Sequence, residues 1–342
     1  MTPPVHVLVA GTERHGVTLL AGQVARAAGA ATTTHLDLPA PGTPVHVHFT
    51  DRLYGGTPEA AAAALVRLAA RHPTTVTLHD VPQPSDGEWF ARRRDSYAAV
   101  LAAARGWVTS SETERATVAA HCAPRTVGGV VPLPIVPAPP APVDGPRERS
   151  VAVFGWVYPG KGHVEALEAA ALLGDTPEQR PAVRALGSVA AGHDDLLAEL
   201  AARADGLGVR FSTTGWLDDV EAARRMLVAG VGLVAHANLS ASGSLNSWVA
   251  LGRRPLVRAG DYTREMARLR PGTLDLYDAD DGVASLAARV AARLDGPPDV
   301  LGPPPRPHLD DTAAAYRAWW EAQTGQDDRD DRDDRPAPGS AP

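Results

Sequence analysis

A chain of 342 residues exceeds what one hydrophobic core usually supports, so two domains are expected. Hydrophobic content of 44% and a net charge of −7 describe a soluble globular protein and argue against nucleic acid as its partner; the single Cys122 excludes an internal disulfide and a cysteine-rich metal cage. No apolar run reaches the roughly 18 residues of an integral membrane span, and the N-terminus lacks a signal-peptide pattern, so a cytoplasmic location is expected.

In chain order, short β-branched runs alternate with alanine-rich helical ones. Val5–Val9 reads as a strand and Val17–Ala28 as a helix. A strand follows at Val45–Phe49. Thr57, Pro58 and Glu59 then supply an N-cap, a first-turn proline and an early acid for a helix to about Ala70. Strands at Thr75–Leu78 and Gly106–Thr109 come next. Ser111 and Glu114 form a capping box that opens another helix, and Val130–Leu133 closes the series as a strand. This βα alternation predicts a parallel sheet with helices on both faces.

The composition then changes. Seven prolines fall between Pro132 and Pro146, which marks an extended linker over residues 136–149. It separates a Rossmann-like first domain, residues 1–135, from a second one, residues 150–305. There the alternation resumes, with strands at Ser150–Phe154, Ala182–Leu186, Val209–Thr213, Val231–Ala235 and Pro255–Val257. Helices are expected at Gly162–Leu173, Asp194–Ala204, Val220–Leu227, Leu245–Leu251 and Val283–Leu294. Two such halves leave a cleft, with ligands off the carboxyl ends of the strands. A helix within 306–325 carries Tyr316, Trp319 and Trp320, rings that must bury, most simply against the first domain. The tail 326–342 is acidic and reads as disordered; its Asp327–Arg335 stretch holds six Asp and three Arg, contributing −3 and leaving −4 for the body.

The chemistry concentrates at strand-to-helix junctions. Lys161 is the only lysine, since the other 32 basic residues are arginine. It sits between Gly160 and Gly162, where two glycines allow close backbone approach and the following helix offers free N–H groups. Lysine is a compact point charge, suited to a phosphate oxygen where a broad guanidinium is not. The small residues from Ser240 to Ser244, with Ser242, Gly243 and Ser244 before a helix through Leu245, Asn246 and Ser247, form a second anion nest. Gly11 and Gly16 have P-loop spacing, but Val17 replaces the essential lysine and excludes a nucleoside triphosphatase. His79 and Asp80 end a strand, where the histidine is placed to bond a sugar hydroxyl or phosphate, or to serve the structure. His46 and His48 share one strand face, yet no carboxylate or cysteine accompanies them and no metal site is expected. Trp216 is suited either to stacking on a base or to the core. Neither G-x-S-x-G nor H-E-x-x-H occurs.

Together these residues resemble the GT-B glycosyltransferases, particularly the family 4 type, over nearly the whole chain. Phe154 and Gly155 followed by Gly160, Lys161 and Gly162 look like that family's donor-phosphate motif. Gly215, Trp216 and Leu217 look like its nucleobase turn, and Ser242, Gly243 and Ser244 like its diphosphate loop. The resemblance implies an α/β GT-B fold, with a nucleotide-diphosphate sugar as donor substrate, UDP- or GDP-linked, and no cofactor or metal. It further implies retention at the anomeric carbon. Lys161 and His79 would be catalytic. Gly160, Gly162, Trp216, Leu217, Ser240, Ser242, Gly243, Ser244, Leu245, Asn246 and Ser247 would bind the donor. His15, Gly16, His48, Asp51 and Asp80 would face the acceptor, whose class (small molecule, glycan, lipid or peptide) the sequence leaves open. The chain departs from the family at two points. Trp156 and Val157 follow Gly155 where an arginine is usual, and the paired glutamates are replaced by Ser240 and by Ser247 or Trp248. The alternatives are a sugar-nucleotide epimerase on the same fold and a non-catalytic GT-B protein that binds a nucleotide sugar or a partner.

Overall fold

The computed structural model describes residues 2–142, 146–239, 241–297 and 301–333, with side chains through 323. The chain divides into two units, Met1–Pro134 together with Pro307–Pro342, and Ile135–Arg306. Each is built on its own six-stranded parallel sheet.

The first sheet is ordered β2-β1-β3-β4-β5-β6, from β1 (Val5–Leu8), β2 (Thr32–Thr34), β3 (Val45–Phe49), β4 (Thr74–Leu78), β5 (Gly106–Thr109) and β6 (Gly129–Val130). The central strands β3 and β4 are buried on both faces, so the polar His46, His48, Thr75 and Thr77 are enclosed together with the apolar residues between them. Helix α1 (Gly16–Ala28) starts where the His15 side chain accepts from the Val17 amide, and ends at Gly29 in the left-handed region. A short α2 (Asp51–Tyr54) follows β3, and α3 (Pro58–Ala69) is capped by Thr57 as its sequence predicts. A tight turn over Pro84–Trp89 leads into α4 (Phe90–Ala103), and α5 (Glu112–His121) is capped by Ser111. The described part of the tail does not stay unstructured: the last helix, α12, runs Leu309–Asp333, and residues 334–342 lie outside the described ones. One face of the sheet carries the core of Val45, Val47, Leu65, Val76, Tyr97 and Trp107. The other face is closed by α1 and α12 through Val24, Val108, Tyr316 and Trp320.

The second sheet is ordered β12-β11-β10-β7-β8-β9, from β7 (Ser150–Phe154), β8 (Ala182–Leu186), β9 (Phe211–Thr213), β10 (Val231–Val234), β11 (Leu256–Arg258) and β12 (Asp275–Tyr277). Its helices are α6 (His163–Ala171), α7 (Leu196–Gly206), α8 (Asp219–Val228), α9 (Gly243–Ala250), α10 (Asp261–Leu269) and α11 (Gly282–Asp295). One face buries Val151, Leu167, Leu200 and Val290, the other Met226, Trp248, Tyr262 and Met266. The chain proceeds outward from β7 to β8 and β9, then returns to place β10 on the other side of β7. The order therefore reverses between β7 and β10, and in the first sheet between β1 and β3. Ligands in open α/β sheets bind off the strand carboxyl ends at such reversals.

Candidate functional site

The loop after β7 and the loop after β10 meet at the reversal of the second sheet. Gly162 has φ +110° and stands against β10, so that a Cβ there would lie 2.7 Å from the Ala235 Cβ. Only glycine lets the loop turn this tightly into α6. The turn tucks Lys161 inward, to 6% exposure. Its Nζ donates to the Ser244 Oγ at 3.5 Å and lies 5.3 Å from the ring centroid of Tyr158. Gly155, at φ +106°, leaves room beside it, since a Cβ there would approach Nζ to 3.3 Å. No carboxylate pairs with Lys161 among the described residues, and burial pushes its ammonium down to about 8. A buried charge with no counter-charge is costly, and an anion supplied from outside would offset that cost.

The start of α9 completes this cradle. The Ser242 Oγ accepts from the Leu245 amide at 3.1 Å and lies 3.1 Å from the Ser244 Oγ, while the Ser242 amide donates to the Tyr262 hydroxyl at 3.2 Å. The Gly243 and Ser244 amides keep no partner among the described residues, so the positive end of α9 stays open beside Lys161. Two histidines face the same place. His163 and His236 are buried, and desolvation followed by the Lys161 charge lowers His163 to about 4; desolvation, Lys161 and then His163 lower His236 to about 3.

The donor residues expected from sequence divide on inspection. Lys161, Gly160, Gly162, Ser242, Gly243 and Ser244 come together. Leu245 contributes its side chain to the core, and its amide is already capped. Asn246 is tied through its Oδ1 to Arg270 at 3.0 Å, so it holds α9 to α10. The Ser247 hydroxyl donates to the Gly243 carbonyl at 3.0 Å. Trp216 is 57% exposed and therefore not a core ring, whereas Leu217 packs against the core. Trp156, in the place of the family's usual arginine, is 53% exposed. Ser240 lies outside the described residues.

In the first unit the acceptor residues are similarly divided. Gly16 opens α1 and is exposed, with His15 half-buried as its cap. Asp51 is not free: Arg93, absent from the sequence expectations, grips it with Nε and Nη2 at 2.8 and 3.0 Å. The same guanidinium reaches Asp86 at 2.6 Å and the Asp80 carboxylate at 3.2 Å. Asp80 takes a left-handed φ of +52°, and its side chain stays half-exposed. A cavity of about 290 Å³ opens beside this network, lined by Asp51, Gly55, Gly56, Asp86, Trp89 and Arg93 among others.

His79 and His48 are both buried, stacked with ring centroids 5.2 Å apart, and joined Nε2 to Nδ1 at 3.0 Å. His6 and His46 extend the cluster, with centroids 5.0 Å apart. Trp320 donates to the His46 Nδ1 at 3.3 Å, which assigns the proton to Nε2 and makes that nitrogen the donor to the Thr77 Oγ1 at 2.9 Å. Burial pushes His6 and His79 down to about 4 and holds His46 and His48 well below the usual histidine range. No group of three or more His, Cys, Asp or Glu among the described residues has metal-binding geometry.

No protein-family profile matches the sequence, and no curated protein is significantly similar to it. Solved structures are. HepE of Anabaena, in complex with UDP-glucose, superposes with a TM-score of 0.67 at 12% identity, over 95% of this chain and 99% of that one. The fold is GT-B. Sucrose-phosphate synthase of Thermosynechococcus elongatus matches at TM-score 0.59 and 14% identity, covering 97% of this chain and 99% of that chain. Trehalose 6-phosphate synthase of Burkholderia multivorans matches at 0.59 and 14% identity over 94% and 78% of the two chains. No described helix is long and apolar enough to cross a membrane.

Proposed function

We propose that this chain is a glycosyltransferase that binds a nucleotide-diphosphate sugar in its C-terminal unit, UDP-linked or GDP-linked, and passes the sugar to an acceptor. The observation that carries this reading is Lys161, a buried ammonium with no carboxylate partner among the described residues, set where two helix N-termini meet at the sheet reversal. A diphosphate is the ligand that such a site fits. The reaction breaks the anomeric C–O bond and leaves its electron pair on a phosphate oxygen. Lys161 and the Gly243 and Ser244 amides stabilise that growing charge from fixed positions. The likeness to HepE bound to UDP-glucose supports a UDP-linked donor. Retention at the anomeric carbon, without a metal, follows from the family resemblance. The acceptor takes the carboxyl edge of the first unit's sheet, where the Asp51–Trp89 cavity opens.

The test is calorimetric binding of UDP, GDP, ADP, TDP and their common sugar conjugates to the purified protein. One diphosphate series is expected to bind selectively. Lys161→Ala should weaken it about 10- to 100-fold, the effect of one charge-assisted bond of 1.5–3 kcal/mol. Failure of every nucleotide to bind, or an unchanged affinity in Lys161→Ala, overturns the assignment. A second reading has one observation in its favour: the paired glutamates of the resembled family are replaced here by Ser240 and by Ser247 or Trp248. A protein that binds nucleotide sugar without transferring it would show full affinity and no release of nucleoside diphosphate with any acceptor.

A further inference from the structure

His236 lies two residues beyond β10, 7% exposed, and neither its Nδ1 nor its Nε2 has a hydrogen-bond partner among the described residues. Buried polar atoms are nearly always paired, and an unmet one costs about 1–3 kcal/mol, so a doubly orphaned imidazole calls for a ligand. The ring's surroundings show which kind. It lies parallel to Tyr158, with centroids 6.2 Å apart and planes 8° apart. The Lys161 Nζ is 5.3 Å from that same Tyr158 ring. The strand end beside it is pinned to the Lys161 loop by the Ala237 amide, which donates to the Gly160 carbonyl at 3.4 Å. The charged and titratable groups acting on His236 are Lys161 and His163, both basic. Lys161, the one of the two that is charged at neutral pH, repels a cation and favours an anion.

A neutral imidazole carries one N–H donor and one lone-pair acceptor. A bare phosphate satisfies only the donor. A sugar diphosphate satisfies both, offering a phosphate oxygen and a hydroxyl on one molecule. We propose that His236 is a binding residue for the donor, giving its N–H to a diphosphate oxygen and accepting a hydroxyl proton of the attached sugar, with Tyr158 fixing the ring. This rests on the nucleotide-sugar reading above. It also answers the replacement of the resembled family's sugar-binding glutamate by Ser240, because the imidazole lone pair supplies a neutral acceptor for the sugar.

The test uses the full chain with UDP and UDP-glucose as probes. His236→Phe keeps an aromatic ring against Tyr158 and removes both nitrogens. It is expected to weaken UDP about 10-fold and UDP-glucose about 100-fold, with an unchanged melting curve in the absence of ligand. His236→Asn, which restores a donor and an acceptor, should recover most of the UDP-glucose affinity. The imidazole nitrogen resonances of the wild type that are missing from His236→Asn, and so belong to His236, should shift on adding UDP-glucose, a readout independent of any variant's folding. If neither probe binds the wild type, the nucleotide-sugar reading itself has failed. If both bind and Lys161→Ala weakens them, while His236→Phe stays within two-fold and the ring resonances do not move, the inference about His236 alone is overturned.

Discussion

Lys161 shows how far one residue announces itself. Its isolation among arginines, inside a glycine loop, was readable from sequence; the absence of a counter-charge was not, because that depends on what folds around it. The consequence is a stability cost with a definite sign. The ammonium drops from 10.5 to about 8 on burial, so the unfolded chain holds that proton more tightly than the folded one. The penalty is complete below pH 8 and fades as pH rises from 8 towards 10.5. At 1.36 kcal/mol per unit it amounts to about 3 kcal/mol at neutral pH. Lys161→Met, of similar size and without the charge, should therefore stabilise the ligand-free protein by about 2–3 kcal/mol while weakening nucleotide binding about 10- to 100-fold. Urea titration at pH 7 with and without UDP reads both effects. A variant no more stable than the wild type would show that the ammonium is solvated in the free protein.

At the level of elements, the histidines of β1, β3 and the end of β4 make the first sheet acid-labile. The alternation of His46 and His48 placed them on one face in advance. That the face would be sealed by α12 was not visible along a single strand, and so their burial was not. Each of the four titrates below its unfolded value, which means stability is complete above about pH 6.5 and falls as pH drops towards 4. For His6 and His79, both near 4, the loss at pH 5 is about 2 kcal/mol each, and His46 and His48 add in the same direction. Against a typical total of about 5–15 kcal/mol, that is enough to unfold the unit. Denaturant midpoints at pH 7.5, 6 and 5 should fall steeply, and tryptophan emission should report it through Trp107 and Trp320. A flat profile would mean the cluster protonates without unfolding. The same limit on one-dimensional reading explains Asp51 and Asn246. Each looks like a free polar contact in sequence, yet Arg93, 42 positions away, and Arg270, 24 positions away, claim them.

For the molecule as a whole, the doubly wound plan was legible because its strands are short β-branched runs between capped helices. The elements that escaped are those where local signals conflict. The start of α4 carries Arg92, Arg93, Arg94 and Asp95, which interrupt its apolar spacing, while β2 and β12 are three-residue edge strands. α12 was expected for its aromatic rings, and it now tests whether the two units are energetically separable. Trp320 is buried in the first unit, meets His6 edge-on with centroids 5.4 Å apart, and donates to His46. Removing it leaves a cavity, for a loss of about 3–5 kcal/mol. Every described residue of the Lys161 cradle, from Gly155 to Tyr262, belongs instead to the Ile135–Arg306 unit, which has its own sheet and two-faced core. Trp320→Ala should thus lower a calorimetric transition that UDP does not shift, and leave the UDP Kd within two-fold at a temperature where the second unit stays folded. Saturating UDP, at 100 times its Kd, should stabilise only the other transition, by about 2.7 kcal/mol. A single transition that responds to both perturbations would instead mean that the two cores melt as one.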